Sequence, residues 1–266
     1  MAEITVQQVI DSITHDVPDA PFDQTVDTIK VGSSEAAVTG IVTTFLATRR
    51  ILAFAAEQGM NLVITHEPLF YGHNDDVTAY GRNSMIDEKL AFARDNRLTI
   101  WRCHDYAHAL RPDIIFEGVI DALGWSGYRV PADDCALFEL PHRPRPAALA
   151  NELKSALGSS RVLLAGDADA RCHRVALLVG SPGGRRQIGV AVAHDVDALV
   201  TGEINEWETP EYFRDAAFAK QKKALLVVGH QPSEEAGMAA LAKRLEARFS
   251  DLPIIHRACG DPLRVV

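Results

Sequence analysis

The chain contains LVITHE at Leu62–Glu67 and, 136 residues later, ALVTGE at Ala198–Glu203. Each copy is a short apolar run that reaches a threonine and ends in a glutamate. At the same offset, Arg49-Arg50 falls on Arg185-Arg186. A short apolar run between polar residues is typical of a buried strand. In each copy, a predicted strand, turn and helix precede this run. The spacing indicates an internal duplication, although a shared βαβ pattern would also produce some of these matches.

Further apolar runs of strand length alternate with stretches of helical periodicity. The predicted strands outside the two copies are Gly40–Val42, Leu98–Trp101, Val175–Val179 and Ala224–Val228. The predicted helices include residues 48–58, closing on Gly59, and residues 233–249, with Ser233 as the N-cap. Alternation of this kind is typical of an α/β protein.

Composition excludes several classes of protein. The 266 residues contain 36 acidic against 27 basic side chains, for a net charge of −9, which argues against a nucleic-acid partner. No apolar run approaches the ~18 residues that span a bilayer. The four cysteines are scattered without a CxxC pair, which argues against a disulfide framework. The first residues carry no secretory signal pattern, so we expect a cytoplasmic protein.

Imidazoles and carboxylates follow the predicted strands in three pairs. Further along the chain, the offset between the two copies falls from 136 to 126 residues. Ile100–His104 then aligns with Leu226–His230, and His108 falls on Glu234. The three pairs are His66 with Glu67, His104 with His108, and His230 with Glu234.

Each pair alone has an ordinary structural explanation, as a polar strand end, a loop, or a carboxylate that complements a helix dipole. Together, at the carboxyl edges of α/β sheets, they favour a metal site. This donor set would suit two divalent ions of Zn, Fe, Mn, Co or Ni.

Two other features bear on chemistry. The turn Gly180–Gly184 precedes a predicted helix, so its amides are suited to an anion, with Arg185 beside it; a tight βα turn explains the glycines equally well. Glu203 ends the second copy, and is either a general base, an orienting residue or a solvated loop acid.

These motifs resemble the Nif-three-like dinuclear metal-centre family, whose members are often called GTP cyclohydrolase I type 2 homologues. The resemblance covers nearly the whole chain. It is carried by Leu62–Phe70, the glycine-rich turn, Ala198–Glu203, Val228–Glu234 and Gly260–Leu263.

The resemblance implies two related, intertwined α/β domains with mixed sheets flanked by helices. The first domain would comprise residues 1–130 and 231–266, and the second residues 131–230. The resemblance also implies self-association, as a ring-shaped homohexamer of three dimers.

The family's motifs imply a ligand set for this chain. Glu67 stands where a second histidine is usual, and His108 stands where an aspartate is usual, so one change gains a carboxylate and the other loses one. The expected metal ligands are His66, Glu67, His104, His108, His230 and Glu234.

We expect a dinuclear metal-dependent hydrolase, in which a metal-bridging hydroxide attacks a small phosphorylated or nucleotide-like substrate and Glu203 moves protons. The family label suggests GTP ring opening, but no residue pattern here indicates guanine recognition. Two alternatives remain: a non-catalytic metal-binding regulatory or scaffold protein, and an α/β protein whose histidines are structural.

Overall fold

The computed structural model describes residues 3–266. The helices are α1 (Val6–Thr14), α2 (Arg49–Glu57), α3 (Ser84–Asp95), α4 (Asp105–Ala109), α5 (Ile114–Leu123), α6 (Pro146–Leu157), α7 (Gly184–Ala193), α8 (Thr209–Phe218) and α9 (His230–Arg248). The strands are β1 (Ile29–Val31), β2 (Ile41–Thr44), β3 (Leu62–Thr65), β4 (Thr99–Arg102), β5 (Arg129–Val130), β6 (Ala136–Glu139), β7 (Leu163–Gly166), β8 (Arg174–Leu178), β9 (Ala198–Thr201), β10 (Ala224–Val227) and β11 (Ile254–His256).

The chain divides into two compact units, each made of two segments. The first unit runs to Glu117 and takes up the chain again over Gly237–Cys259. The second unit comprises Gly118–Ala236 and Gly260–Val266. Each unit contains one mixed sheet flanked by helices, as the family resemblance implies.

The sheet of the first unit has the strand order β1-β4-β3-β2-β11. Strands β4, β3, β2 and β11 are parallel, and β1 pairs antiparallel with β4. All residues of β2, β3 and β4 are buried, which is usual for parallel strands covered on both faces. Because β11 pairs with β2, the segment after α9 returns to this sheet.

The sheet of the second unit has the order β5-β6-β8-β9-β10-β7. Strands β8, β9 and β10 are parallel, while β7 and β6 pair antiparallel with β10 and β8. The run β10-β9-β8 repeats the run β4-β3-β2, with an antiparallel strand next to β10 and β4 in each case. Helix α7 precedes β9 as α2 precedes β3, so the duplication is present in the topology.

One detail of the predicted duplication is wrong by a residue. Thr65 pairs with Arg102, and its equivalent Thr201 pairs with Val227. His104 therefore corresponds to Gly229 rather than to His230. Matching two histidines in the sequence shifted the alignment, whereas the equivalence of two strands is set by sheet register.

The N-terminus of α9 also differs from the prediction. The helix begins at His230, so Ser233 lies in its first turn and is not its N-cap. Pro232 is tolerated there because the first-turn amides have no partner within a helix. The Ser233 hydroxyl instead donates to the carbonyl of His230 at 2.7 Å and accepts from the amide of Gly180 at 2.9 Å.

Each unit has its own apolar core. In the first unit, Ile51 and Leu52 of α2 pack with Val42, Val63 and Ile100 of the sheet. In the second unit, residues of α7 and α8 pack with the parallel strands in the same way. Among the described residues, no helix combines the length and apolar character needed to cross a membrane.

We predict that Lys89 makes the stability of the protein depend on pH. Its ammonium group is buried on α3 and donates to the carbonyl of Leu69 at 2.7 Å. Burial lowers the pKa of Lys89 from 10.5 to about 8, against the opposing effect of Asp75. The folded state therefore disfavours the charged form. The resulting penalty, on the order of 3 kcal/mol, is complete below pH 8 and disappears as the pH rises to 10.5.

Urea titrations across this pH range measure the effect as a free energy of unfolding. Lys89→Met should remove the rise between pH 8 and 10.5, whereas Lys243→Met, which changes an exposed lysine of the same unit, should retain it. Equal slopes in the two variants would contradict the assignment to Lys89.

Candidate metal centre

The candidate ligands of the first unit follow the adjacent strands β3 and β4. His66 is the first residue after β3, and its amide donates to the carbonyls of Thr44 and Phe45 at 3.1 Å each. Cys103 follows β4 and donates its amide to the carbonyl of Thr65 at 2.8 Å. These bonds continue the ladder past the last strand residues, and so place His66 and His104 together at the carboxyl edge of the sheet.

A helical turn then brings His108 back to His104. His104 is the N-cap of α4, and the amide of His108 donates to the carbonyl of His104 at 3.1 Å. The ring of His104 stacks on that of His66 with centroids 4.7 Å apart. The ring of His108 lies 5.1 Å from both. One possible ligand atom from each of the three histidines lies within 4.8 Å of the others.

The Nδ1 atom of each imidazole meets an oxygen acceptor. His66 Nδ1 lies 3.1 Å from the carbonyl of Cys103, His104 Nδ1 lies 2.8 Å from Asp105, and His108 Nδ1 lies 2.9 Å from Asp113. Carbonyl and carboxylate oxygens only accept, so each Nδ1 donates, and Nε2 is the ring atom left to bind a metal. Metal-binding histidines in proteins are usually oriented in this way.

The protonation state of His104 also suits a metal. Burial, followed by repulsion from His66, lowers the pKa of His104 to about 4. Its ring is therefore neutral near pH 7, and the neutral ring is the form that binds metal. Burial raises the pKa of its partner Asp105, but hydrogen bonds from His104, Thr25 and Val26 outweigh that effect. The net result is a lowered pKa, so Asp105 is ionised.

Glu67 is held between a histidine and a buried arginine. Its Oε1 lies 3.9 Å from His104 Nε2, and its Oε2 lies 3.4 Å from Arg102 Nη2. The Arg102 side chain is 0% exposed, and its Nε donates to the carbonyl of His66 at 3.1 Å. It also donates to the carbonyl of His73. Arg102 therefore ties the loop after β3 to β4.

Sequence reasoning missed the residues that support this cluster. Asp105 and Asp113 orient two of the imidazoles, and Asp27 accepts the amides of His104 and Tyr106 at 2.7 and 2.8 Å. A charged residue at the end of an otherwise apolar predicted strand was the one available signal for Arg102. Asp27 carries no signal, because it lies 77 residues from His104 in the sequence. Asp105 and Asp113 are one and five residues from their histidines, but only the fold shows where their carboxylates point.

In the second unit, His230, Glu234 and Glu203 come together. His230 begins α9, so Glu234 lies one turn later on the same face, and His230 Nε2 is 3.1 Å from Glu234 Oε2. His230 Nδ1 is 3.3 Å from Glu203 Oε1. The Glu234 side chain is 4% exposed, whereas that of Glu203 is 53% exposed.

Two glycines allow the strand ends of this unit to approach α9. Gly180 has φ +66°, and a Cβ there would lie 2.3 Å from Glu234 Oε1. A Cβ on Gly202 would lie 2.4 Å from the carbonyl of Gly180. Gly180 therefore packs against Glu234, and Gly202 packs against Gly180 and the Ser233 hydroxyl, at distances that only glycine permits.

The glycine turn before α7 binds a carboxylate of the chain itself. Glu208 Oε2 accepts from the amide of Gly184 at 3.2 Å and from Asn205 Nδ2 at 2.9 Å. A cleft of about 600 Å³, bordered by Arg185 and Arg186, opens there. Glu208 thus occupies the position expected for a bound anion.

The chain is similar to known proteins along most of its length. The family described as Duf34/NIF3 (NGG1p interacting factor 3) matches residues 4–258. A protein of Clostridium acetobutylicum, "GTP cyclohydrolase 1 type 2 homolog", is 22% identical over 235 residues, which are 85% of this chain and 83% of the relative.

Solved structures share the fold. Staphylococcus aureus hypothetical protein SA1388 matches with a TM-score of 0.77 and 17% identity, and the match covers 100% of both chains. A Bacillus cereus protein related to NIF3 matches with a TM-score of 0.78 and 12% identity, again over 100% of both.

Proposed function

Because this chain belongs to the Duf34/NIF3 family, we propose that it is a metal-dependent hydrolase. Its substrate would be a small phosphorylated or nucleotide-like molecule. The observation that carries the proposal is the cluster of His66, His104 and His108, in which each Nδ1 meets an oxygen acceptor. Three imidazoles oriented in this way are a donor set for a divalent transition metal.

The proposed ligands are His66, Glu67, His104 and His108, together with His230 and Glu234. For the second unit, support comes from the contact between His230 and Glu234 and from the burial of Glu234. The set contains two carboxylates, which would offset part of the charge of two divalent ions.

When bound, the ions would supply Lewis-acid chemistry, by polarising a substrate oxygen and making a water molecule acidic enough to attack near neutral pH. The chain's own residues would position the metal ligands and transfer protons. Arg102 holds the Glu67 carboxylate beside His104. Glu203 contacts His230 and is half exposed, so we propose that it carries a proton between the site and solvent.

Two observations bear on the substrate class. The Clostridium relative is named a homologue of GTP cyclohydrolase 1 type 2, which favours a nucleotide. The arginines beside the cleft before α7 offer positive charge for a phosphate, but the phosphate would have to displace Glu208 from the amide of Gly184.

Elemental analysis and metal reconstitution test the function. The protein would be purified without chelator, loaded in turn with Zn, Mn, Fe, Co or Ni, and assayed against nucleotides and phosphoesters. We expect stoichiometric metal, with turnover that is lost in His230→Ala and kept in His142→Ala, a control at an exposed histidine.

The outcomes separate the alternatives. Absence of bound metal would mean that the histidines are structural. Stoichiometric metal without turnover that depends on His230 would favour the non-catalytic scaffold.

We also propose that the protein associates into a hexamer of three dimers, as the family resemblance implies. Light scattering would measure a particle of six 29.0 kDa chains. A monomeric mass over the micromolar range would contradict this assembly.

A further inference from the structure

We propose that Asp134, Cys135 and His194 form a separate binding site for one divalent metal ion of the zinc type. All three residues belong to the second unit, and none is in the ligand set proposed above. The inference is independent of the hydrolase proposal, because it requires neither the family's ligands nor any catalytic activity.

The geometry brings three different donor atoms together. Cys135 lies just before β6, and His194 is the residue that follows α7. One ligand atom from each of the three side chains lies within 4.8 Å of the others, and His194 Nε2 lies 2.6 Å from Asp134 Oδ1. The ligand atoms of a tetrahedral zinc ion lie roughly 3–4 Å apart, so small side-chain movements would admit an ion.

The donor chemistry selects the kind of metal. A thiolate, an imidazole and a carboxylate are the three ligand types that zinc uses in proteins. A thiolate disfavours Mg²⁺ and Ca²⁺, which prefer oxygen. Three protein ligands leave a fourth position, which water or an external ligand would fill.

The backbone of two of the ligands is fixed by neighbouring groups. The amide of His194 donates to the carbonyl of Val190 at 3.1 Å, and its carbonyl accepts from Arg174 Nε at 2.7 Å. Arg186 Nη2 donates to the carbonyl of Asp134 at 3.1 Å. Metal sites need such support, because the ordering of flexible ligands costs binding energy.

The electrostatics are mixed but admit a cation. Arg174 and Arg186 place positive charge nearby, and Glu139 pairs with Arg174 at 2.8 Å. A thiolate and the Asp134 carboxylate would contribute two negative charges, and the C-terminus of α7 carries partial negative charge. The Asp134 side chain is 52% exposed, so an ion can enter from solvent.

Cobalt substitution distinguishes this site from the proposed hydrolase centre. Cobalt bound to a thiolate gives a charge-transfer band in the near ultraviolet, whereas imidazole and carboxylate ligands give none. The ligand set proposed for the hydrolase contains no sulfur. We expect the cobalt-loaded protein to show this band, Cys135→Ser to lose it together with one equivalent of cobalt, and Cys259→Ser to keep both.

His194→Gln provides a second variant that leaves the thiol in place. It should also lower the cobalt content by one equivalent and weaken the band. Circular dichroism would show that both variants are folded. The inference is overturned if the wild-type protein shows no charge-transfer band, or if the band and the cobalt content are the same in Cys135→Ser.

Discussion

Arg102→Met is expected to lower the free energy of unfolding by about 3–5 kcal/mol, the usual cost of removing one partner of a buried ion pair. The guanidinium is fully buried and contacts two carboxylates, with Nη2 3.4 Å from Glu67 and Nη1 3.8 Å from Asp75. Methionine fills similar volume but leaves both carboxylates with less positive charge nearby. Lys30, 2.9 Å from Asp75, compensates only one of them.

The same variant should also loosen the loop after β3. Arg102 donates to the carbonyls of His66 and His73, so its loss removes the bonds that hold this loop against β4. Urea denaturation measures the stability, and Arg94→Met, at an exposed arginine of α3, is the control. If the two variants unfold at the same urea concentration, Arg102 does not contribute in this way.

Asp113→Asn is expected to weaken metal binding by about 10–100-fold while leaving the fold intact. One oxygen of Asp113 accepts the amides of Ile115 and Phe116 at the start of α5, at 2.9 and 3.2 Å. The other accepts from His108 Nδ1 at 2.9 Å. Asparagine caps helices as well as aspartate does, so the first role survives.

The second role is reversed by the substitution. The asparagine amide would donate to His108 Nδ1, which would move the ring proton to Nε2 and block the atom expected to bind metal. Metal affinity measured by chelator competition tests this, and nitrogen chemical shifts of the imidazole report the tautomer directly. Asp95→Asn, at an exposed aspartate of the same unit, should change neither. Wild-type affinity in Asp113→Asn would show that His108 binds no metal through Nε2.

The contact with Asp113 also bears on the unusual residue at position 108. The family resemblance leads to an aspartate there, and this chain has histidine. Because Asp113 lies 2.9 Å from His108 Nδ1, a carboxylate is still present next to position 108. Glu67, which stands where a histidine is usual, contacts Arg102 instead. Each of the two exchanged residues therefore has a polar partner nearby.

Local pattern was sufficient to predict the α/β class, the central strands and the duplication. Buried parallel strands require unbroken apolar runs, and runs such as Leu62–Ile64 and Ala198–Val200 satisfy that requirement in the sequence itself. The same reasoning predicted that His66, Glu67 and His104 follow strands, because polar residues end such runs. That reasoning left open whether a helical turn or a loop joins His104 to His108, and the structure has the helical turn.

Tertiary structure decided which groups support the site. The hydrogen bonds of Arg102 to His66 and of Asp27 to His104 join residues 36 and 77 positions apart, and such bonds leave no periodic trace in a sequence. Asp113 is five residues from His108, but its contact depends on how the chain turns between them. Tertiary structure also decided the one-residue shift between the duplicated sheets and the start of α9 at His230. Apolar periodicity is a local property that burial imposes on every strand, whereas the partner of a polar atom depends on the position of the rest of the chain.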